Sequence, residues 1–296
     1  MTITIRKLTP HIGGEVSGVD LRQPLAAGDV AAVDAGMAEH AVLVFPGQEI
    51  TDEQQAAFSR NFGSLELPGR ISNITKESER RLGPEMADVS NLDQGHKPFA
   101  RDDRRRMFNL GNRLWHSDSS FKAIPAKYSL LSGRIVTEEG GNTEFADMRA
   151  AWDALDDRTK SLIEDMVCEH SLLYSRGALG FDDLTEEEKK NFTPVRQRLV
   201  RTHPVSGRKS LYLSAHIGQI IGWPRPEAMC LIRDLTEHAT RPEFVYVHKW
   251  TQYDLVVWDN RSTMHRVRAF DDVGQVRDMR RTTVAGDAPT AEQVAA

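Results

Sequence analysis

The stretch LWHSDSSF, from Leu114 to Phe121, places a histidine and an aspartate two residues apart, directly behind a tryptophan. In an extended strand, residues i and i+2 point to the same face, so His116 and Asp118 would present an imidazole and a carboxylate side by side. Such a pair can bind a metal ion or form a hydrogen bond within itself. Surface strands also carry H-x-D triplets by chance, so the rest of the chain has to separate these interpretations.

The composition indicates a globular protein that acts on small molecules. The chain has 296 residues, 40% of them hydrophobic, enough to bury a large core as one big domain or two ordinary ones. A formal net charge of -5 gives no basic field, so neither nucleic acid nor a membrane surface is expected as a partner. The start, MTITIRKLTP, lacks the apolar segment of a signal peptide, so a cytoplasmic location is expected. Cys168 and Cys230, both in predicted helices, are expected to be reduced core thiols.

The pattern of apolar residues predicts a mainly β protein with flanking helices. Thr51 and Gln54 form a plausible capping box at the start of the second helix. Helices are predicted at 28–40, 51–62, 149–155, 157–168 and 225–239. Strands are predicted at 2–8, 41–45, 86–92, 112–118, 128–136, 143–148, 198–203, 210–214, 244–250, 254–260 and 279–286. This inventory fits a jelly roll, that is, a cupin-like double-stranded β-helix, whose mouth offers a ligand pocket.

Two segments lack this periodicity. Residues 69–110 contain the runs ESERR, DQGHK and ARDDRRR, which are dense in charge. Such a long segment is expected to be either a lid loop over a site or a solvated surface excursion. Residues 287–296 are expected to form a flexible tail, which leaves 1–286 as a single domain.

The segment VVWDNRSTMHR, at 256–266, supplies a third ligand candidate. His265 lies 147 residues beyond Asp118 and follows the strand that ends in Asp259 and Asn260. Two histidines and one carboxylate leave three adjacent coordination positions open, which suits non-haem Fe(II) that must bind a cosubstrate and dioxygen. A closed structural zinc site would need a fourth protein ligand. His116, Asp118 and His265 are therefore a candidate facial triad.

Several segments resemble the motif series of the Fe(II)/2-oxoglutarate-dependent taurine dioxygenase family. The resemblance extends from about residue 10 to residue 286 and is strongest to the family members that act on aryloxyacetates. The segments are WHSDSSF, GGNTEFADMRAAWDAL, VVWDNRSTMHR and RDMRRTTV, supported by VLVFPGQ, FSRNFG and LVRTHPVSGRK.

The resemblance implies that the triad binds Fe(II), that Thr143 and Arg277 hold the cosubstrate 2-oxoglutarate, and that O2 is the second cosubstrate. A hydroxyl and a guanidinium suit the far carboxylate of 2-oxoglutarate, because a guanidinium can bind two oxygens at once. Arg277 stands twelve residues after His265, one more than in the family pattern, which indicates an insertion within FDDVGQ. Arg280 therefore stays open as the alternative in this role.

The resemblance further implies a small anionic organic substrate whose charge is held by Arg281. Arg277 and Arg281 are four residues apart and are expected on one strand face, with Arg280 pointing away. His216, in SAHIG, and His203, in RTHP, match histidines near the aryloxyacetate site of the family. Two tryptophans that flank the metal motifs are expected to pack around the site: Trp115 and Trp258.

The implied reaction is hydroxylation of an aryloxyacetate such as 2,4-dichlorophenoxyacetate beside its ether oxygen. The products would be a phenol and glyoxylate, together with succinate and CO2, as in the catabolism of aromatic herbicides. One alternative keeps this chemistry and acts on taurine or another sulfonate. A second alternative is a jelly-roll protein that binds metal or ligand without turnover, although such a protein has no evident use for Arg277. The family resemblance also implies a homo-oligomer.

Overall fold

The computed structural model describes residues 3–69 and 72–293 of the chain. Three predictions extend beyond these residues: the first strand at residue 2, the lid at residues 70 and 71, and the tail at 294–296. Within the described residues, no helix combines the length and the apolar character needed to cross a lipid bilayer.

Within residues 3–69 and 72–293, the strands form one large sheet and three small ones. They are β1 (Thr4–Lys7), β2 (Gly14–Ser17), β3 (Val42–Phe45), β4 (Ala87–Asp88), β5 (Tyr128–Ile135), β6 (Thr143–Asp147), β7 (Val167–His170), β8 (Val195–Arg198), β9 (Val200–Thr202), β10 (Lys209–Leu211), β11 (Ile217–Ile220), β12 (Val245–His248), β13 (Leu255–Asp259), β14 (Thr263–Val267) and β15 (Asp278–Thr283).

Helices flank these sheets. They are α1 (Ala27–His40), α2 (Asp52–Arg60), α3 (Arg104–Asn109), α4 (Met148–Asp153), α5 (Asp157–Ile163), α6 (Leu172–Gly177), α7 (Glu186–Asn191) and α8 (Arg225–Ala239). The predicted capping box at the start of α2 is confirmed, since the Gln54 amide donates to the Thr51 hydroxyl and the Gln54 side chain accepts from the Thr51 amide.

The large sheet has the strand order β1-β2-β3-β13-β5-β15-β4. Strand β3 is buried on both faces, and its residues alternate between two apolar clusters. Leu43 and Phe45 pack with Met37 of α1 and Phe58 of α2, whereas Val42 faces the opposite cluster with Trp258 of β13. The first face therefore carries the helices, and the second is the interior of the fold.

The small sheet β12-β6-β14 closes this interior from the other side. Phe145 of β6 joins the cluster that contains Val42 and Trp258, while Ala146 and Met264 face outward into the cluster that includes α4 and α8. Two sheets packed face to face with helices outside confirm the predicted jelly roll. The space between the sheets is where the site lies.

Two element predictions are wrong. The strand predicted at 112–118 is absent, because Leu110–Arg113 is a 3₁₀ turn and His116 makes a single β-bridge, to His265. The helix predicted to 168 ends at Ile163, and the following residues form β7. Cys168 is therefore buried in a strand, where burial raises the pKa of its thiol to about 12. Cys230 lies on α8 as predicted but is exposed, so it is not a core thiol.

Residues 72–113 include most of the described part of 69–110 and pack against the large sheet, and we call them the cover segment. It contains β4, which pairs with β15, and α3. Arg81 is almost fully buried and binds Asp88 at 2.9 Å and Asp278 at 2.8 Å. In the predicted tail, the Gln293 side chain hydrogen-bonds the backbone of Arg196, so this part of the tail is tied to β8.

Candidate metal centre and its two cavities

His116, Asp118 and His265 converge between the two sheets. Their ligand atoms all lie within 4.8 Å of one another, and all three residues are buried. The His116 amide donates to the His265 carbonyl at 3.0 Å, and the His265 amide donates back to the His116 carbonyl at 2.8 Å. This bridge places the two imidazoles on the inner face of the small sheet, with ring centres 4.2 Å apart.

The protonation of the triad fits a metal ion. His116 Nδ1 lies 2.7 Å from the Leu114 carbonyl, which only accepts hydrogen bonds, so the proton is on Nδ1 and Nε2 has a free lone pair. His116 Nε2 and His265 Nε2 lie 3.9 and 3.8 Å from the oxygens of Asp118. Burial lowers the pKa of both histidines, which favours the neutral imidazoles that metals bind.

Neighbouring polar groups orient the carboxylate of Asp118. The Ser129 hydroxyl donates to Asp118 Oδ2 at 2.7 Å, and the Asp118 amide donates to Asn260 Oδ1 at 3.1 Å. Asn260 also donates to Ser129 and accepts from the Trp258 indole. Burial acts to raise the pKa of Asp118, but the positive charge of Arg281, together with the two neighbouring histidines and the Ser129 hydrogen bond, outweighs burial and holds that pKa well below its usual range. Asp118 is therefore ionised, as a metal ligand must be.

A cavity of about 80 Å³ lies on one side of the triad, and Thr143 and Arg277 line it. Arg277 is 4% exposed, and its guanidinium donates to the Gly141 carbonyl at 3.2 Å. It has no carboxylate partner among the described residues, and burial lowers its pKa to about 10. The Trp250 indole donates to the Thr143 hydroxyl, which leaves the hydroxyl proton free to donate. A buried, unpaired guanidinium beside a hydroxyl fits a carboxylate ligand.

The cover segment holds the loop that carries Arg277. The Asn91 side chain donates to the carbonyls of Asp272 and Gln275 and accepts from the Arg277 amide at 2.8 Å. Arg280, by contrast, points to the outer face and pairs with Asp52. Of the two arginines left open by the insertion, Arg277 is thus the one that lines the cavity.

A second cavity, of about 90 Å³, lies on the other side of the triad. Arg281 lines both cavities and donates to Asp118 Oδ1 at 2.5 Å, and His216 lines the second. Most of the other wall residues are polar, but the wall also has an apolar patch, which includes Pro68, Val89, Phe108, Phe121 and Leu172. We call it the second cavity.

Two predicted site residues lie elsewhere. His203 lines neither cavity, and both of its ring nitrogens are taken: Nε2 donates to Asp259 at 2.9 Å, and Nδ1 accepts from the Ser206 amide. His203 therefore supports Asp259 behind the site, and its contact with substrate stays a prediction. Trp115 packs into the outer core beneath Arg266, whereas Trp258 lies 4.6 Å from the His265 ring, as predicted.

The sequence did not predict a role for some residues that support the site. Ser129, 11 residues from Asp118, and Asn260, 142 residues from it, orient Asp118, and Asn91 orients Arg277 from a distance of 186 residues in the chain. Asn260 does follow Asp259 in the segment WDN, and that adjacency to the metal motif was the available signal. Arg176, on α6, lines the second cavity without any such signal.

Comparison with known proteins agrees with this geometry. Residues 4–283 match the family described as taurine catabolism dioxygenase TauD, TfdA family. The chain is 43% identical over 288 residues, 97% of this chain and 99% of the other, to an alpha-ketoglutarate-dependent 2,4-dichlorophenoxyacetate dioxygenase of Cupriavidus pinatubonensis. It is 34% identical over 281 residues, 91% of each chain, to an (S)-phenoxypropionate/alpha-ketoglutarate dioxygenase of Delftia acidovorans.

The crystal structure of AAD-2 in complex with Mn(II) and N-oxalylglycine superimposes with a TM-score of 0.96 and 62% identity, covering 98% of this chain and 100% of that one. A jelly roll with an inward-facing triad of two histidines and one carboxylate defines a non-haem iron oxygenase. Within that class, the chain belongs to the TauD/TfdA family. It is an Fe(II)/2-oxoglutarate-dependent dioxygenase, and its cofactors are Fe(II), 2-oxoglutarate and O2.

Proposed function

We propose that this dioxygenase hydroxylates an aryloxyalkanoate, an aryloxyacetate in the simplest case, at the carbon beside the ether oxygen. The hydroxylated product then loses its aryloxy group, so one substrate, one 2-oxoglutarate and one O2 give a phenol, glyoxylate, succinate and CO2. The observation that supports this most directly is the second cavity, whose wall contains the guanidinium of Arg281 and an apolar patch that includes Phe108, Phe121 and Leu172. Such a cavity suits a molecule with an aromatic ring at one end and a carboxylate at the other.

We assign metal binding to His116, Asp118 and His265, and the far carboxylate of 2-oxoglutarate to Thr143 and Arg277. When bound, the iron and the cosubstrate together supply an oxidant that can remove hydrogen from carbon. The chain's own contribution is positioning: it keeps the two imidazoles neutral, holds Asp118 ionised, and separates the two organic ligands into different cavities. The cover segment lines both cavities and limits the access of water.

We assign the substrate carboxylate to Arg281, assisted by His216. Arg281 lies beside Asp118, so an anion bound to it is held next to the metal ligands. The rings of Phe121 and His216 pack edge to face with their centres 5.1 Å apart, which fixes His216 against the aromatic part of the wall. In a substrate anchored there, the carbon next to the substrate carboxylate would lie close to the triad.

A short aminosulfonate such as taurine fits this cavity less well. Its amine would need anionic partners, and the acidic side chains in the wall are Glu66, Asp88 and Asp118. Asp88 already pairs with Arg81, and Asp118 with Arg281. The Glu66 carboxylate already accepts hydrogen bonds from Ser119 and Lys122. Each acidic side chain of the wall thus already has a basic partner, and an amine would have to compete with it.

Turnover by the Fe(II)-loaded enzyme tests the proposal. Succinate and phenol release would be followed across aryloxyacetates, aryloxypropionates and taurine, with His265→Ala as the inactive control. We expect one succinate and one phenol for each aryloxyacetate consumed, and none without 2-oxoglutarate. Turnover of taurine with no turnover of any aryloxy acid would refute the substrate assignment.

The family resemblance also supports two further proposals, a homo-oligomeric state and a cytoplasmic location. Light scattering of the purified chain would report its mass, and a monomer would reject the first. Fractionation of the source cells would test the second.

A further inference from the structure

Arg176 of α6 is a buried cation beside the second cavity that the roles assigned above do not use. The residue is 5% exposed, and its guanidinium lies 4.3 Å from the centre of the Phe108 ring. Gly111 makes room for it, since a Cβ at that glycine would lie 2.5 Å from Arg176 Cζ. No carboxylate pairs with it among the described residues, and burial lowers its pKa to about 9, which leaves it cationic at neutral pH. An unpaired buried charge is costly, so its presence points to an electrostatic role.

A chain of hydrogen bonds connects this charge to His216. Arg176 Nη1 donates to the Ser175 hydroxyl oxygen at 3.0 Å, and that oxygen lies 2.9 Å from His216 Nδ1. The same hydroxyl lies 3.1 Å from the Leu172 carbonyl. A serine hydroxyl has one proton to donate, so it donates either to Leu172 or to His216. The choice decides the tautomer of His216.

Two observations favour donation to His216. Its distance to the hydroxyl is the shorter of the two. The positive charge of Arg176 also acts on the ring: it favours the tautomer whose lone pair faces the guanidinium and whose N–H points away. A hydroxyl that accepts from a cation is in turn a better donor.

We propose that Arg176 and Ser175 hold His216 as the neutral tautomer protonated on Nε2, so that His216 donates a hydrogen bond to the anionic end of the substrate. The inference rests on the proposed function in that the second cavity receives an anion. Arg176 and Ser175 are then positioning residues, and the anion meets two kinds of donor, the guanidinium of Arg281 and the imidazole of His216. A neutral ester or amide gains less from these donors than a carboxylate does.

Nitrogen NMR of ¹⁵N-histidine-labelled protein tests the tautomer without any turnover. The Zn(II)-loaded protein is used, because Zn(II) has no unpaired electrons. A His216→Gln variant identifies the two His216 signals. We expect a protonated Nε2 and a bare Nδ1 in the wild-type protein and a loss of that preference in Ser175→Ala. A wild-type His216 that carries its proton on Nδ1 would overturn the proposal.

Steady-state kinetics test whether this tautomer of His216 contributes to binding of the substrate anion. Ser175→Ala should raise KM for an aryloxyacetate on the order of tenfold, with kcat and KM for 2-oxoglutarate nearly unchanged. Arg176→Gln, which removes the charge, should act in the same direction. The KM for the methyl ester of the same acid should move little, and Ser132→Ala serves as control, because its buried hydroxyl lies in β5 and has no partner among the described residues.

Equal KM increases for the acid and the ester in Ser175→Ala would mean that Ser175 has only a structural role, and this result would overturn the proposal. Failure of the proposed function is distinguishable from this result. It would appear as no turnover of any aryloxy acid by the wild-type enzyme, while the NMR result would still report the tautomer of His216.

Discussion

At the scale of single residues, Arg277 and Arg281 lie four positions apart but differ in the cavities that they line. Arg281 lines both cavities, whereas Arg277 lines the first and not the second. Arg281→Ala should raise KM for an aryloxyacetate roughly 30-fold or more, since truncating a charge-assisted arginine contact costs on the order of 2–5 kcal/mol. KM for 2-oxoglutarate should move little. Arg277→Ala should show the reverse pattern. Steady-state kinetics with each substrate varied in turn would measure both.

Lysine at either position should restore only part of the affinity, because an ammonium cannot reproduce the planar fork of a guanidinium. Arg280→Ala is the matched control, since that side chain pairs with Asp52 and Asp278 on the outer face and should leave both KM values nearly unchanged. If Arg281→Ala instead weakened 2-oxoglutarate binding and spared the substrate, the two assignments would have to be exchanged.

Asn260 should influence metal affinity although it is not a metal ligand. Asn260→Ala removes the acceptor for the Asp118 amide and the donor to Ser129, which itself holds Asp118. Loss of such supporting contacts typically weakens metal binding about 10–100-fold. Calorimetric titration with Mn(II) would measure this, with the exposed Asn61→Ala as control. An unchanged affinity in a folded Asn260→Ala variant would contradict this role.

The triad and both arginines could be proposed from the sequence because each lies in a short motif. The residues that orient these side chains could not be proposed in this way. Asn260 accepts a hydrogen bond from the Asp118 amide, but the two residues are 142 positions apart, and a single sequence does not show that contact. His203 and Trp115 line neither cavity, for a related reason. Both sit beside conspicuous motifs, but the direction of a side chain depends on the local backbone, which for Trp115 is an irregular segment rather than a strand.

At the scale of elements, long periodic segments were predictable and short polar ones were not. The prediction 225–239 matches α8, and 41–45 and 254–260 match β3 and β13, because a continuous apolar pattern fixes these elements. Strands β7, β8 and β11 have four residues each and carry charged or polar side chains. Their pairing is set by tertiary contacts that a local pattern does not contain.

The contact between the cover segment and the Arg277 loop leads to a prediction about Asn91. Asn91→Ala removes hydrogen bonds to Asp272, Gln275 and the Arg277 amide. The loop should then sample other positions, and KM for 2-oxoglutarate should rise roughly tenfold, which corresponds to a loss of about 1.4 kcal/mol of binding free energy. Hydrogen exchange at 270–277 should also become faster.

Gln94→Ala is the matched control, because that side chain bonds only to the backbone of Ser78 and Arg80 within the cover segment. It should leave the exchange at 270–277 and the KM for 2-oxoglutarate nearly as in the wild type. An equal change in both variants would mean that general loosening of the cover segment, rather than the contact to the Arg277 loop, causes the effect.

At the scale of the whole molecule, buried ion pairs join the cover segment to the jelly roll. Arg81 pairs with Asp278 of β15, and Arg106 pairs with Asp272 at 2.8 Å. A small apolar cluster around Phe108 and Phe192 adds to this attachment. Because charged groups carry much of the contact, its strength should depend on pH in a way that an apolar interface would not.

Acid should weaken this attachment through Asp278. Burial acts to raise the pKa of Asp278, but hydrogen bonds from Arg81 and Arg280 outweigh it and hold that pKa at about 2. The unfolded chain has a value of roughly 4, so the carboxylate stabilises the fold above that pH and loses its contribution as the pH falls toward 2. The contribution is about 2 kcal/mol above pH 5, and roughly half of it remains at pH 3.

The free energies of unfolding in urea of the wild type and Asp278→Asn should therefore differ most near pH 6 and converge in acid. The exposed Asp165→Asn, whose side chain is 97% accessible, should match the wild type throughout. A difference between wild type and Asp278→Asn that stays constant from pH 6 to pH 3 would show that the charge of Asp278 does not stabilise the fold.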